Sequence, residues 1–252
     1  MMLRYAAPGL AALSLLAAPA GASDLTALSD QERDAFGAEV RQYLLENPEV
    51  IVEAINILEQ RQAEAEALAD EELVAAKADE LFNDGYSWVG GNPDGDVTLV
   101  EFMDYRCGFC RRAVPEVDQV LKEDGNIRLV IKEFPILGEA SMISSRFAIA
   151  TKQVAGDDAY KQVHDALMAY DGDVNDTALR RIGEGLGLDV EPILAAMEGE
   201  AVTQQIARTR ALAQELKISG TPTFVLDSEM LRGYLPADRM LDLVNEIRND
   251  RG

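Results

Sequence analysis

Two cysteines occur in the 252-residue chain, and they stand one helical turn apart in Cys107-Gly108-Phe109-Cys110. A disulfide that staples a fold usually joins distant segments, because the stabilisation grows with the loop it closes. A bond across two intervening residues closes almost no loop and is strained, so it is a poor staple and a good reagent. The rival uses of such a pair lack their other parts. A zinc site takes four ligands, usually Cys or His, and the chain offers these two thiols and one histidine, His164. Covalent haem attachment requires a histidine after the second cysteine, where Arg111 stands. Cu(I) binding by two soft thiolates stays open as an alternative. Thiol–disulfide exchange is the chemistry the spacing favours. It needs a thiolate, and a thiolate is favoured where unpaired N–H groups and the positive end of a helix dipole converge. If a helix opens at Gly108, Cys107 sits at that mouth as nucleophile, and Cys110, one turn inside, is the more buried resolving thiol.

The flanking sequence supplies such a mouth. Val97-Thr98-Leu99-Val100-Glu101-Phe102-Met103 reads as a buried central strand. A helix from about 108 to 123 follows, then a strand from Arg128 to Glu133, which together make a βαβ unit. Residues 139–216 are helical almost throughout, with breaks at Gly156, 171–173 and 185–187. A hairpin over 223–226 and 230–232 and a helix over 236–248 close the chain. Ahead of the unit, 86–89 predicts a short strand and 90–95 a turn cluster. Residues 29–84 are helical: Ser29 and Glu32 form a capping-box pattern, Asn47-Pro48 interrupts, and one long helix is predicted from Pro48 to Phe82. Its thin seam of Ile51, Ile55 and Leu58 either packs on its own chain or meets copies of itself.

The amino terminus carries Arg4, an apolar run over 6–18 and small-residue patterns ending at Ala20 and Ala22, the three-part layout of a secretory signal peptide. Cleavage after Ala22 removes one basic residue and leaves 22 basic against 45 acidic, a net charge of −23. Such a surface repels phosphate backbones and excludes nucleic acid as an expected partner. The resulting division is a signal peptide over 1–22, a helical extension over 23–84 and a redox domain over 85–250.

Among the remaining polar residues, Glu101 and Lys132 lie in otherwise apolar strands. A buried charge is costly unless paired, so the two are expected to face one another beneath the thiols. Arg106, Arg111 and Arg112 flank the cysteines, either to support a thiolate or as solvated charge. His164, on an amphipathic helix, is expected to be structural, and the scattered methionines to be core filler. Phe102, Phe109 and Phe134 border a peptide groove or pack in the core.

With these pieces in place the chain resembles the thioredoxin superfamily, in particular its exported DsbA-like members similar to ScsC, the suppressor of copper sensitivity. The order strand, C-x-x-C, helix carries the likeness, with Pro115 where such helices carry a proline. Gly220-Thr221-Pro222-Thr223-Phe224 looks like the family's cis-proline loop. The helical stretch from about 138 to 216 is where DsbA-like proteins carry an inserted subdomain. The block from Val40 to Glu49 resembles the extension of ScsC-like members. The resemblance implies an α/β thioredoxin fold with a helical insertion, needing no cofactor or metal. It implies substrate hydrogen bonding by the backbone of Thr221 beside Pro222, and Glu101 as the buried acid that relays protons and tunes the thiols; Lys132 either helps tune them as its partner or is an edge charge. It also implies a periplasmic location, exported cysteine-containing proteins as substrates, a membrane partner that recycles the pair, and a homo-oligomer built through the N-terminal helices. Thr before the proline favours isomerase or reductase over oxidase. The alternative is an exported Cu(I)-binding or holdase protein using the same thiols.

Overall fold

Val97–Met103 forms β2, in which every residue but Thr98 is buried, as a strand covered on both faces requires. β2 pairs in parallel with β3 (Ile127–Glu133) and antiparallel with β4 (Thr223–Leu226). β1 (Trp88–Gly91) adds to β3 and β5 (Glu229–Arg232) to β4, giving a mixed five-stranded sheet in the order β1-β3-β2-β4-β5. α4 (Gly108–Asp124) is the β2–β3 crossover. It stops at Gly125, whose φ of 71° lets the chain turn back while its N–H donates to Leu121 O. The computed structural model describes residues 29–252, so the leader expected over 1–22 lies outside the described residues.

Between β3 and β4 run α5 (Glu139–Ala155), α6 (Asp157–Ala169), α7 (Asp176–Gly185), α8 (Val190–Met197) and α9 (Glu200–Glu215), followed after the β4–β5 hairpin by α10 (Ala237–Asp250). The thioredoxin fold with a helical insertion is therefore present. Ahead of the sheet lie α1 (Asp30–Glu46), α2 (Glu49–Ala76) and α3 (Ala78–Phe82). Ser29 and Glu32 do form the capping box, each side chain bonding the other's backbone N–H. The single helix expected to Phe82 is divided: Lys77 (φ −114°, ψ 14°) leaves helical geometry, and the turn there carries Leu81 into the core.

Among the described residues the chain divides into two compact units, one ending at Gln60 and the other covering Arg61–Gly252, a division that falls within α2. In the first unit, α1 buries no residue, and Phe36, Tyr43, Ile51, Val52 and Leu58 stand exposed. The second unit holds the sheet and a core on each of its faces. Leu99, Met103, Leu129, Ile131, Phe224 and Leu226 pack with α4, α10 and the insertion. Val100, Phe102, Val130 and Val225 pack on the other face, with Val74, Leu81, Leu212 and Ile218.

That alternation corrects the expected pairing of Glu101 with Lys132. Glu101 lies opposite Ile131, and Lys132 lies opposite Phe102. A strand taken to begin at Arg128 sets Lys132 beside Glu101. β3 begins at Ile127, and a slip of one residue reverses the face of every side chain. Lys132 therefore points away from the thiols. Its ammonium is fully buried and donates to Asp84 Oδ2 (2.5 Å) and to the Glu80 carbonyl (2.7 Å).

Candidate active site

Cys107 is the N-cap residue of α4, with extended backbone (φ −78°, ψ 115°), and Gly108 opens the helix without adding bulk at its mouth. As a cap its side chain bonds none of the helix's own N–H groups. Its Sγ instead lies 3.1 Å from the Thr221 carbonyl oxygen as donor, and the Thr221–Pro222 peptide is cis. The register places these residues together. Phe102 pairs with Thr223, so Pro222 lies just beyond that pair, at the end of β2 from which the chain runs to Cys107. Both cysteines are free thiols, Cys107 7 % exposed and Cys110 fully buried. Burial, reinforced by the charge of Glu101, pushes the Cys110 thiol well above its ordinary value.

Asp104, which sequence reasoning passed over, shapes the approach to the thiols. Its buried carboxylate accepts from the N–H of Arg106 at 2.7 Å, closing an Asx turn, and from Ile136 and Leu137 at 2.8 and 3.0 Å. The available signal was an aspartate immediately after a strand and before a turn. The three arginines divide their work. Arg106 donates to the carbonyls of Tyr170 and Gly172. Arg111 donates to Tyr105 O and Tyr170 O and forms an ion pair with Asp171. Arg106 and Arg111 thus fasten the loop after α6 to the site. Arg112 lies over the rings of Tyr234 (4.5 Å) and Phe109 (5.7 Å).

Glu101 is buried behind Cys110 on the thiol side of the sheet. Burial, and secondarily the charge of Asp118, raises its carboxyl to about 8. On β3, two residues beyond Ile131, the partner of Glu101, and on the same face lies Glu133, which the sequence reading did not single out. Its Oε1 accepts from Tyr105 Oη (2.8 Å) and Tyr160 Oη (2.7 Å). Burial raises Glu133 to about 7, held in check by the hydrogen bonds from Tyr160 and Tyr105. His164 joins this network, with Nδ1 3.2 Å from Tyr105 Oη, and burial lowers it to about 4. It is a neutral packing residue with a polar partner. Of the three phenylalanines only Phe109 is exposed; Phe102 and Phe134 meet edge to face in the core on the far side of the sheet.

A five-stranded mixed sheet with a dithiol at a helix mouth, opposed by a cis-proline loop and interrupted by a helical insertion, defines a DsbA-like thioredoxin-fold protein. The chain belongs to that family: residues 98–247 match the DSBA-like thioredoxin domain, and residues 32–65 match the copper resistance protein ScsC N-terminal domain. It is similar to a thioredoxin-like oxidoreductase from Silicibacter pomeroyi (44 % identity, 68 % of this chain and 97 % of that one, TM-score 0.64). BcfH from Salmonella enterica Typhimurium is similar over more of the chain (27 % identity, 84 % and 94 %, TM-score 0.70). Among curated proteins, the Na(+)/H(+) antiporter NhaA 3 of Salinispora tropica is 28 % identical over 58 % of this chain. The chain spans only 22 % of that relative's length.

Proposed function

We propose that this chain is an exported thiol–disulfide exchange enzyme acting on cysteine-containing exported proteins, with Cys107 as nucleophile and Cys110 as resolving thiol. The observation that carries this reading is the contact between Cys107 Sγ and the Thr221 carbonyl beside a cis proline, with Cys110 buried one turn behind. A sulfur at the helix mouth is reachable by a substrate and one inside is not, so the first bond to substrate forms at Cys107. The Cys107 thiolate attacks a substrate disulfide, forming a mixed disulfide and releasing the other substrate sulfur as thiolate. Cys110 then gives its proton to Glu101 and attacks Cys107 Sγ. The Cys107–Cys110 bond forms and the substrate leaves with the electron pair. Glu101 supports this step because it is buried beside Cys110 with a carboxyl raised to about 8, close enough to neutral pH to take up and release a proton. The peptide on either side of the substrate cysteine is expected to bond the Thr221 backbone.

Isomerase or reductase activity is the finer reading, supported by Thr221 before the proline and by the match of 32–65 to the ScsC N-terminal domain. The exposed apolar residues of α1 and α2 would join copies of the chain. A periplasmic location and a membrane partner that recycles the dithiol belong to the same proposal. Shuffling of scrambled ribonuclease by the full chain tests it, beside Cys107→Ser, Cys110→Ala and a chain lacking 23–60. Cys107→Ser should abolish shuffling, and loss of 23–60 should lower shuffling while sparing simple reduction of a disulfide. Cu(I) retained tightly by the dithiol with no exchange activity would favour the metal-binding alternative.

A further inference from the structure

Behind the thiols, Glu101 Oε1 is a buried carboxylate oxygen that finds no hydrogen-bond partner among the described residues. An orphaned acceptor in a dry core is costly, and it borders a small cavity of about 20 Å³ between β2, α4 and α6. A water molecule needs about 10–15 Å³ of such space and two or more polar neighbours. The cavity has room for one, and its polar lining is Glu101, Asp118, Lys161, His164 and Asp165.

These groups are not equal. Lys161 and Asp165 occupy one another, Nζ lying 2.7 and 2.8 Å from the two carboxylate oxygens. His164 is buried and neutral, with Nδ1 already at Tyr105 Oη. Asp118, on α4, is exposed and lines the same cavity as the buried Glu101. We propose that one water seated in this cavity bridges Glu101 to Asp118, and that Asp118 is the outlet through which protons pass between Glu101 and solvent.

The inference rests on the relay role assigned to Glu101 above and adds its route. Burial keeps Glu101 largely protonated at neutral pH. It must therefore shed a proton outward before it accepts the one from Cys110. The proton moves from Glu101 to the water while the water gives one to Asp118, which releases it to bulk. The Cys110 proton then moves onto Glu101, and the sulfur attacks as described. No electron leaves the two sulfur centres and the substrate.

Ellman's reagent, a small aromatic disulfide, separates the steps in the full-length reduced protein. Attack by Cys107 releases one thionitrobenzoate, and displacement by Cys110 releases the second. Asp118→Asn should leave the first release unchanged and slow the second roughly tenfold, below the full worth of general acid–base catalysis because slower routes remain. Asp118→Glu should restore most of the rate. Val114→Leu, which narrows the cavity with both carboxylates kept, should slow the second release too. Glu101→Gln is the control for the underlying reading. If Glu101→Gln slows the second release and Asp118→Asn does not, the outlet is wrong and the relay stands. If Glu101→Gln leaves it untouched, the relay itself fails. An Asp118→Asn defect that Asp118→Glu does not rescue, or a normal rate in Val114→Leu, overturns the water route.

Discussion

Removing the charge of Asp84 should leave the buried ammonium of Lys132 without its counter-ion. The side chains are 6 % and 0 % exposed, and the pair is 2.5 Å apart. Asp84→Asn preserves shape, and its carbonyl oxygen can still accept from the N–H groups of Tyr86 and Ser87 as Oδ1 now does. Besides the charge, the change replaces Oδ2, which accepts from Ser87 Oγ at 2.6 Å, with an NH2 donor set against the ammonium. Breaking a buried pair from one side costs about 3–5 kcal/mol. The low end applies here, because Lys132 keeps the Glu80 carbonyl and can also give up its proton, burial having already lowered its affinity for it. About 3 kcal/mol is the expected loss. Urea unfolding followed by the fluorescence of Trp88, the chain's one tryptophan, measures it, with an unchanged slope confirming the same unfolding transition. Lys132→Met on top of Asp84→Asn should recover most of the loss, since an apolar chain of similar length needs no partner. Raising the pH to about 10 should narrow the deficit of Asp84→Asn, because a neutral amine tolerates burial. Lys132→Met should also leave the alkylation rate of Cys107 unchanged, the two lying on opposite faces of the sheet. A loss under about 1 kcal/mol, or a double variant no more stable than Asp84→Asn, refutes this account of the pair.

Three further outcomes follow from the thiol side. Iodoacetamide should modify Cys107 on the order of tenfold faster than Cys110, read as a single adduct by peptide mass; equal labelling contradicts their assigned burial. Glu101 has its folded value raised to about 8 from 4.5, so its contribution to stability is full below 4.5 and is lost as pH climbs through 8. Glu101→Gln should remove up to about 1.4 kcal/mol per pH unit of downward slope in that window, measured by urea unfolding at several pH values. Tyr160→Phe deletes one of the donors to Glu133 Oε1 and should cost about 1–3 kcal/mol, with the midpoint of Glu133 moving up from about 7 in the pH dependence of stability. A midpoint that does not move would show that Tyr160 is not holding Glu133.

Much of this was legible because the signals were local. The apolar run from Val97 to Met103, the glycine at the C-terminus of α4 and the glycine breaks between the insertion helices each announce themselves within a few residues. The dithiol and Thr221-Pro222 could be joined through resemblance, and the structure brings Cys107 and Thr221 into contact. What escaped depended on register or on distant partners. Whether Lys132 faces Glu101 turns on one residue of offset between β2 and β3, which the whole core decides. Glu133 reads as a strand-end charge until Tyr105 and Tyr160, 28 and 27 residues away, converge on it. The break at Lys77 carries no glycine or proline. It serves the burial of Leu81 and Val74, a tertiary demand with no local mark.

The division of charge between the two faces bears on how the N-terminal segment can act. Glu101, Glu133 and Cys110 occupy the core shared with α4 and the insertion, whereas Val74, Leu81 and the Lys132–Asp84 pair occupy the other. The sheet's paired backbone lies between them, and neither set of side chains crosses it. The end of α2 and α3 therefore have no side-chain route to the thiols, and their buried pair is a matter of stability rather than of redox tuning. A deletion carried to residue 84 would strip Asp84 from Lys132 and confound unfolding with loss of function. One ending at residue 60 leaves the pair and both cores intact. Any change in shuffling it causes would then reflect what the helices before residue 60 do for substrate handling, and the rate of Cys107 alkylation should not move with it.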